Sequence, residues 1–523
     1  MIKKNSIKIF IISGVIFIIS IVLGMWRIND VGRTWDEPAQ AIDGYNFIEL
    51  IINGDFKNKY LYDHPYHPPL TKYLYGIAAH FDIESKNSPA PFFLKREPLF
   101  KYDWMSVRLV SVLFSALSCL LVFLIAKKYF GLFIGFFSGI ILSTLPIFLG
   151  MSQLATIESV LVFTFTATVY SFLLFIEKPN KFHTTVTGVI LGLAFLTKYT
   201  NILLIPLMFS ILIVWVKFGN NKSKSTNMTI FSQTLLIIVI SFIVFFIFWP
   251  MPFFHLSQFI ESNTQLRFAQ TAHSVPEVFF GRLMFVPKIY YFIFFLITTP
   301  FITLLLFFIG AKKLSYLLGS KSFKSKRWII YSVIFWFCLP FIQSFYNFRQ
   351  QGIRYIIEIY APFSIIAAIG MDFLLSLIKN QKKRILVVVI FFIYLLVVLV
   401  RISPYYIDYF NIVVGGSKGV YEKKLFHLGW WGEGIKEATT YLKKNAPKNS
   451  TVGAAVMPLT SIPPVTSLLI TEYNDKNKYD YVMVGYFNII REKFDSKNVT
   501  QNYFPIYDVL ADGAKVITVY KHK

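Results

Sequence analysis

Twelve ionisable side chains invite a chemical reading: Asp36, Glu37, His64, His67, Lys72, Asp103, Arg108, Glu158, Lys198, Arg349, Arg354 and Glu358. The acids can take a proton from a hydroxyl, and the cations can stabilise a departing anion. The first cluster, Thr34-Trp35-Asp36-Glu37-Pro38, also has a structural reading. In it the two acids cap a helix whose first position is Pro38. The second runs Asp63-His64-Pro65-Tyr66-His67-Pro68-Pro69-Leu70-Thr71-Lys72. Its prolines restrict the backbone around His67, and the alternative is a plain turn leading into a helix. Two His without a third ligand do not make a zinc site. For Glu158 and Lys198 the alternative is a snorkelling charge at a membrane surface.

These residues must be positioned by the apolar runs between them. About 20 apolar residues cross a bilayer core, and eleven candidate spans are present: 7–26, 107–126, 131–149, 158–176, 184–197, 200–216, 230–249, 288–310, 328–346, 355–375 and 385–402. Lys3, Lys4 and Lys8 precede the first run and no small-residue cleavage site follows it, so it reads as a retained anchor. With a cytoplasmic N-terminus, the short inner segments hold 20 Lys or Arg against the single acid Glu177. The large outer segments 27–106 and 403–523 carry 9 basic against 11 acidic residues and 15 against 11. That asymmetry is the positive-inside pattern, and it puts the C-terminus outside. The first outer loop, 27–106, has amphipathic stretches at 40–52 and 70–81 suited to interfacial helices. A second outer loop covers 250–287.

The expected architecture is a polytopic α-helical membrane protein of about 11 transmembrane helices, residues 1–402, with a small extracytoplasmic α/β domain, 403–523. In that domain 433–442 has helical spacing, and 451–456, 479–484 and 516–520 read as strands. All twelve ionisable residues then fall at outer helix ends, whereas the helix centres are Ile, Leu, Val and Phe. A transport path needs polar groups near the midplane. The pattern instead describes a reaction centre at the outer face.

Composition agrees. The chain has 523 residues, 52 Lys plus Arg against 28 Asp plus Glu, 55% apolar residues and only 15% charged. A net charge of +24 suggests nucleic acid, but 56 Phe and a mean hydropathy of +0.56 do not suit a soluble nucleic-acid binder. Cys119 and Cys338 lie inside apolar runs and read as buried free thiols.

The order Asp36-Glu37, His67-Pro68-Pro69-Leu70, Arg108-Leu109, Thr156-Ile157-Glu158, Gly192-Leu193-Ala194-Phe195-Leu196-Thr197-Lys198 and Arg354-Tyr355 resembles one superfamily. It is that of the GT-C glycosyltransferases using polyprenyl-phosphate sugars, specifically the protein O-mannosyltransferase and aminoarabinose-transferase-like group. The resemblance covers about residues 1–402. The tail is similar to microbial members of the group in Tyr409-Phe410-Asn411, Gly415-Gly416-Ser417-Lys418-Gly419 and Gly429-Trp430-Trp431-Gly432-Glu433-Gly434. The resemblance implies Asp36 as general base, with Glu37 beside it and Glu158 as a further acid of the catalytic set. It implies His67, Lys72, Arg108, Lys198, Arg354 and Tyr355 around the donor phosphate. His67 stands where some relatives have Lys, and a neutral imidazole neutralises phosphate less.

A sugar on polyprenyl phosphate already has a good leaving group, so one base suffices. A single displacement inverts the anomeric carbon, unlike the paired carboxylates of retaining glycosidases. The implied partners are a polyprenyl-phosphate sugar, a protein, glycolipid or polymer acceptor, and the plasma-membrane bilayer, with no nucleic acid. No cofactor is expected and the enzyme is read as metal-independent. Related oligosaccharyltransferases hold a metal and carry Trp-Trp-Asp-Tyr-Gly. This chain has Trp430-Trp431-Gly432-Glu433-Gly434, which lacks the Asp-Tyr and reads as a glycine turn into a helix. Asn449-Ser450-Thr451 and Asn498-Val499-Thr500 are glycosylation sequons. The rival classes are a lipid-linked sugar flippase, which needs polar groups deep in the membrane, and a non-catalytic membrane scaffold with an outer binding domain.

Overall fold

The computed structural model describes residues 2–58, 60–63, 67–85, 99–219, 224–249, 251–261, 264, 276–345, 352–492, 494 and 496–523. His64 and Arg349 lie outside the described residues. Among these residues nine helices are long and apolar enough to cross a membrane, or ten if one bent pair counts as a single span. The chain is a polytopic α-helical membrane protein with a C-terminal α/β domain.

The count departs from eleven for local reasons. The run 131–149 breaks into Leu132–Ser143 and Pro146–Ser152, bent by 66°. Pro146 has no N–H to continue a helix but suits the first turn of the next one. The run 184–197 folds as Lys181–Phe195, 15 residues, which span about 22 Å against a core of about 30 Å. That helix still belongs to the bundle. A Cβ on Gly188 would lie 2.7 Å from the Cβ of Ile240, and one on Gly192 would lie 2.6 Å from that of Val244. Small residues thus let it approach the helix Lys224–Phe248 closely. The run 288–310 divides at Pro300 into Tyr290–Thr298 and Phe301–Gly319. Of the two, Phe301–Gly319 has the length of a span.

Apolar residues left outside the core mark the lipid-facing surface. On Gln381–Ile402 the large ones are Ile385, Leu386, Val389, Ile390, Ile393, Leu396, Val397 and Val400, one face at helical spacing. The amphipathic stretches of the first loop form the helices Glu37–Ile52 and Leu70–Ala79. They cross at Gly44 and Gly76, where either Cβ would meet the other helix's backbone.

The short hairpins are β1 (Ile83–Ser85) with β2 (Leu99–Phe100), and β3 (Glu277–Phe279) with β4 (Arg282–Met284). The C-terminal sheet contains β5 (Ser450–Ala455), β6 (Leu468–Glu472), β7 (Tyr481–Gly485), β8 (Tyr503–Ala511) and β9 (Ala514–His522), in the order β6-β5-β7-β9-β8. β5 is parallel to β6 and β7, whereas β9 runs antiparallel to β7 and β8. The two strands absent from the sequence reading are the two edges. β8 carries Pro505 and two register shifts, features an edge strand tolerates because one side forms no ladder. The anticipated helix at 433–442 is Ile435–Asn445, entered through Gly434 in the left-handed region.

Asn411 ties this domain to the bundle. Its side-chain amide donates to the Leu296 and Thr299 carbonyls at 2.7 and 2.8 Å, and its backbone N–H donates to Ile297 at 2.7 Å. The break before Pro300 frees those carbonyls, and the Tyr409-Phe410-Asn411 motif pairs them. Lys436 reaches the Asn29 carbonyl at 2.6 Å and pairs with Asp103, joining the Ile435–Asn445 helix to the first loop.

Candidate active site

The loop after the first helix places two adjacent acids in different environments. Glu37 is fully buried. Its carboxylate accepts from Arg108 Nε and Nη2, both at 2.7 Å, from Thr34 N at 2.9 Å and from Ala155 N at 3.0 Å. Burial alone would raise this carboxyl, but the Arg108 charge and the four donated hydrogen bonds hold it below its ordinary value. Arg108 is equally enclosed. It also donates to the Ile28 carbonyl at 2.7 Å and to that of Gly32.

The sequence reading puts Arg108 on donor phosphate and Glu37 in the catalytic set; the structure commits the two groups to each other and to the loop backbone. Their geometry is that of a brace, fixing the loop 28–37 against the helix Met105–Phe130 and the turn that leads into Ile157–Glu177.

Asp36 occupies the N-cap position of the helix Glu37–Ile52, yet its side chain makes no cap hydrogen bond. It accepts instead from Arg354 Nη1 at 2.9 Å, and 36% of the Asp36 side chain stays open against 7% for Arg354. Arg354 heads the 3-10 turn Arg354–Ile359 that leads into the helix Tyr360–Ser376. Its guanidinium lies 5.0 Å from the Tyr355 ring, 4.3 Å from Trp431 and 5.5 Å from Trp430.

Three more charges surround this pair. Glu158, in the first turn of Ile157–Glu177, and Asp36 are anionic neighbours of Arg354. Lys198, at the N-cap of the 3-10 turn Tyr199–Leu203, sets its ammonium 5.1 Å from the Tyr355 ring. Glu358, four residues after Arg354, has Lys198 and Glu158 as charged neighbours. All three are at least 97% buried. Among the described residues Lys198 Nζ, Glu158 Oε2 and Glu358 Oε2 have no hydrogen-bond partner. Buried charges without partners are costly, so polar atoms of a substrate are their natural complement.

The His67-Pro68-Pro69-Leu70 motif meets this group through the backbone: Leu70 N donates to the Leu196 carbonyl at 2.9 Å, two residues before Lys198. Lys72 sits in the helix pair, 4.5 Å over the Phe47 ring with Asp43 as charged neighbour, and burial lowers its ammonium to about 8. Among the described residues no three His, Cys, Asp or Glu side chains are grouped to hold a metal ion. The sequence reading gave Glu358 no role and read Trp430-Trp431 as part of a turn. The turn is present, and the available signal was two adjacent Trp between glycines in a polar segment.

Residues 97–249, which carry Arg108, Glu158 and Lys198, match the family of dolichyl-phosphate-mannose-protein mannosyltransferases. Over that segment the chain is similar to this mannosyltransferase family. No curated protein matches the chain at a significant level. Among solved structures it is similar to ArnT from Cupriavidus metallidurans bound to undecaprenyl phosphate, with 13% identity, 97% of each chain covered and a TM-score of 0.48. It is also similar to the oligosaccharyltransferase AglB from Archaeoglobus fulgidus in complex with an inhibitory peptide and a dolichol-phosphate. There the identity is 13%, covering 99% of this chain and 74% of that one, with a TM-score of 0.46. The S. cerevisiae Pmt1-Pmt2 complex bound to its sugar donor matches at 17% identity over 48% of this chain and 34% of that one, with a TM-score of 0.36.

Proposed function

We propose that this protein is a membrane glycosyltransferase that moves a sugar from a polyprenyl-phosphate donor to an acceptor hydroxyl at the outer face of the plasma membrane, inverting the anomeric carbon in one displacement. The observation that carries the reading is the partly open Asp36 held by Arg354, across the Tyr355 ring from the buried Lys198, whose Nζ has no hydrogen-bond partner among the described residues. Asp36 takes the hydroxyl proton as the acceptor oxygen bonds to the anomeric carbon. The bond from that carbon to the phosphate oxygen breaks, and polyprenyl phosphate leaves with the electron pair. Lys198 and Arg354 stabilise the charge gathering on the phosphate, with the Tyr355 ring against both cations and His67 as a further phosphate partner.

Glu158 and Glu358 orient the sugar or the cations. Glu37 and Arg108 are positioning residues that hold Asp36 in place. The match to a dolichyl-phosphate-mannose family supports a lipid-phosphate donor. A protein, glycolipid or polymer hydroxyl is the acceptor.

The test is transfer from a synthetic polyprenyl-phosphate sugar by purified protein in vesicles, with the anomeric configuration of the product read by NMR. Inverted product from wild type, and transfer lowered by about 100-fold or more in Asp36→Asn, is the expected result. Translocation of labelled donor without transfer would establish the flippase reading instead. Orientation is tested by single cysteines at Lys379 and Lys476 in a Cys119→Ala, Cys338→Ala background. Labelling of position 476 and not 379 by an impermeant maleimide on intact cells is expected, and the converse would overturn the outer-face assignment.

A further inference from the structure

The aromatic pair of the C-terminal domain lies against the ion pair of the site, although the chemistry above gives it no part. Trp430 and Trp431 stack with ring centroids 4.9 Å apart and an interplanar angle of 22°. Trp431 is buried and Trp430 half-buried. Trp431 is held at both ends of its peptide unit. Its N–H donates to Glu433 Oε2 at 2.8 Å, and its carbonyl accepts from Trp35 N at 3.2 Å. Trp35 immediately precedes Asp36, so one backbone hydrogen bond joins the loop carrying the aromatic pair to the loop carrying the carboxylate.

The next residue, Gly432, has φ +108, and a Cβ there would lie 3.0 Å from the Arg33 carbonyl and 2.8 Å from Ser461 Oγ. A glycine is therefore required for the two loops to come this close. A planar guanidinium stacked on an indole has its rotation restricted, while its N–H groups still point outward in the plane. The Arg354 guanidinium lies over the Trp431 ring at 4.3 Å while its Nη1 donates to Asp36 at 2.9 Å.

We propose that Trp431, backed by Trp430, is a positioning residue for the transfer reaction: it holds the Arg354 guanidinium in the plane from which it grips Asp36 and meets the donor phosphate. The C-terminal domain is then part of the active centre. This proposal rests on the functional reading above, in which Arg354 faces the phosphate.

A double-mutant cycle tests it. Trp431→Leu is expected to lower kcat about tenfold to thirtyfold, the scale of a desolvated cation–π contact, and Trp431→Phe about threefold, with Trp431→Tyr closer to wild type. In an Arg354→Lys background the Trp431→Leu step shrinks to less than about threefold, because its effect travels through the guanidinium. A merely structural Trp431 would cost the same in both backgrounds, or lower the unfolding temperature of Trp431→Phe in step with activity; either result overturns the proposal.

A second arm needs no turnover. In a Trp430→Phe background, which removes the other indole near Arg354, the emission difference made by Arg354→Leu should vanish when Trp431→Phe is added, and a difference that persists overturns the contact. If wild type transfers no sugar from a polyprenyl-phosphate donor, the functional reading fails on its own, and the fluorescence arm still decides whether Trp431 holds Arg354.

Discussion

Arg354 Nη1 donates to Asp36 Oδ2 at 2.9 Å across 318 residues of sequence, joining the start of a late spanning segment to the loop after the first helix. The neighbouring carboxylate, Glu37, is paired with Arg108 at 2.7 Å and has no exposure. Two adjacent acids are thus divided between an open ion pair and a closed one, and each prediction below draws on such a division.

Asp36→Asn keeps the side-chain volume and removes the proton acceptor. Transfer should fall by about 10²–10⁴-fold, the usual contribution of a general base, while binding of polyprenyl phosphate alone stays within a few-fold of wild type. Single-turnover assays and a direct lipid-phosphate binding titration separate the two effects.

Glu37→Gln should act through stability. Removing one partner of a fully buried pair leaves the Arg108 charge uncompensated and costs about 3–5 kcal/mol. Changing Glu37→Gln and Arg108→Met together should cost less than the sum of the two single changes. The sign with pH follows from a carboxyl held below its ordinary value of 4.5. Its contribution is complete above about 4.5 and is lost as pH falls through the folded-state value. Thermal unfolding in detergent between pH 3 and 7 measures both effects, and Glu37→Gln should flatten the acid limb.

Lys198→Met should raise the donor KM or weaken polyprenyl-phosphate binding by about 10- to 100-fold, the scale of a charged hydrogen bond, with Lys198→Arg retaining part of it. An unchanged donor affinity in Lys198→Met would remove Lys198 from the phosphate site.

Glu433 and Asp408 make a second buried acid pair, under the Trp430–Trp431 loop. Burial pushes Glu433 up to about 7 and lifts Asp408 well above the carboxylate range, with Glu433 repelling it further. A carboxyl with a raised folded-state value contributes its stability at low pH and loses it as pH rises, here from about 4.5 toward 7 and beyond for Glu433. Glu433→Gln keeps an oxygen for the Trp431 N–H and should raise the unfolding temperature at pH 8 relative to pH 5. An equal change at both pH values would show that the pair is not the source of the dependence.

Much of this molecule was legible in its residues. The membrane class follows from apolar runs near 20 residues, because a bilayer core admits only helices with internally paired backbones. The collection of ionisable residues at helix ends follows from the cost of placing them at helix centres. Asn411 and Trp431 stood out as motifs but not as contacts, since the carbonyls freed before Pro300 and the guanidinium of Arg354 belong to distant segments.

The sequence by itself determined which residues carry charge, that the helices span a membrane, and that Asp36 and Glu37 follow the first of them. Its family resemblance put Asp36 ahead of Glu37 as the base without a physical reason for the difference. The tertiary structure supplies that reason, because adjacent carboxylates are distinguished by their burial and by the cations beside them. Arg108 reaches one carboxylate and Arg354 the other, and a loop from the C-terminal domain closes over the second pair.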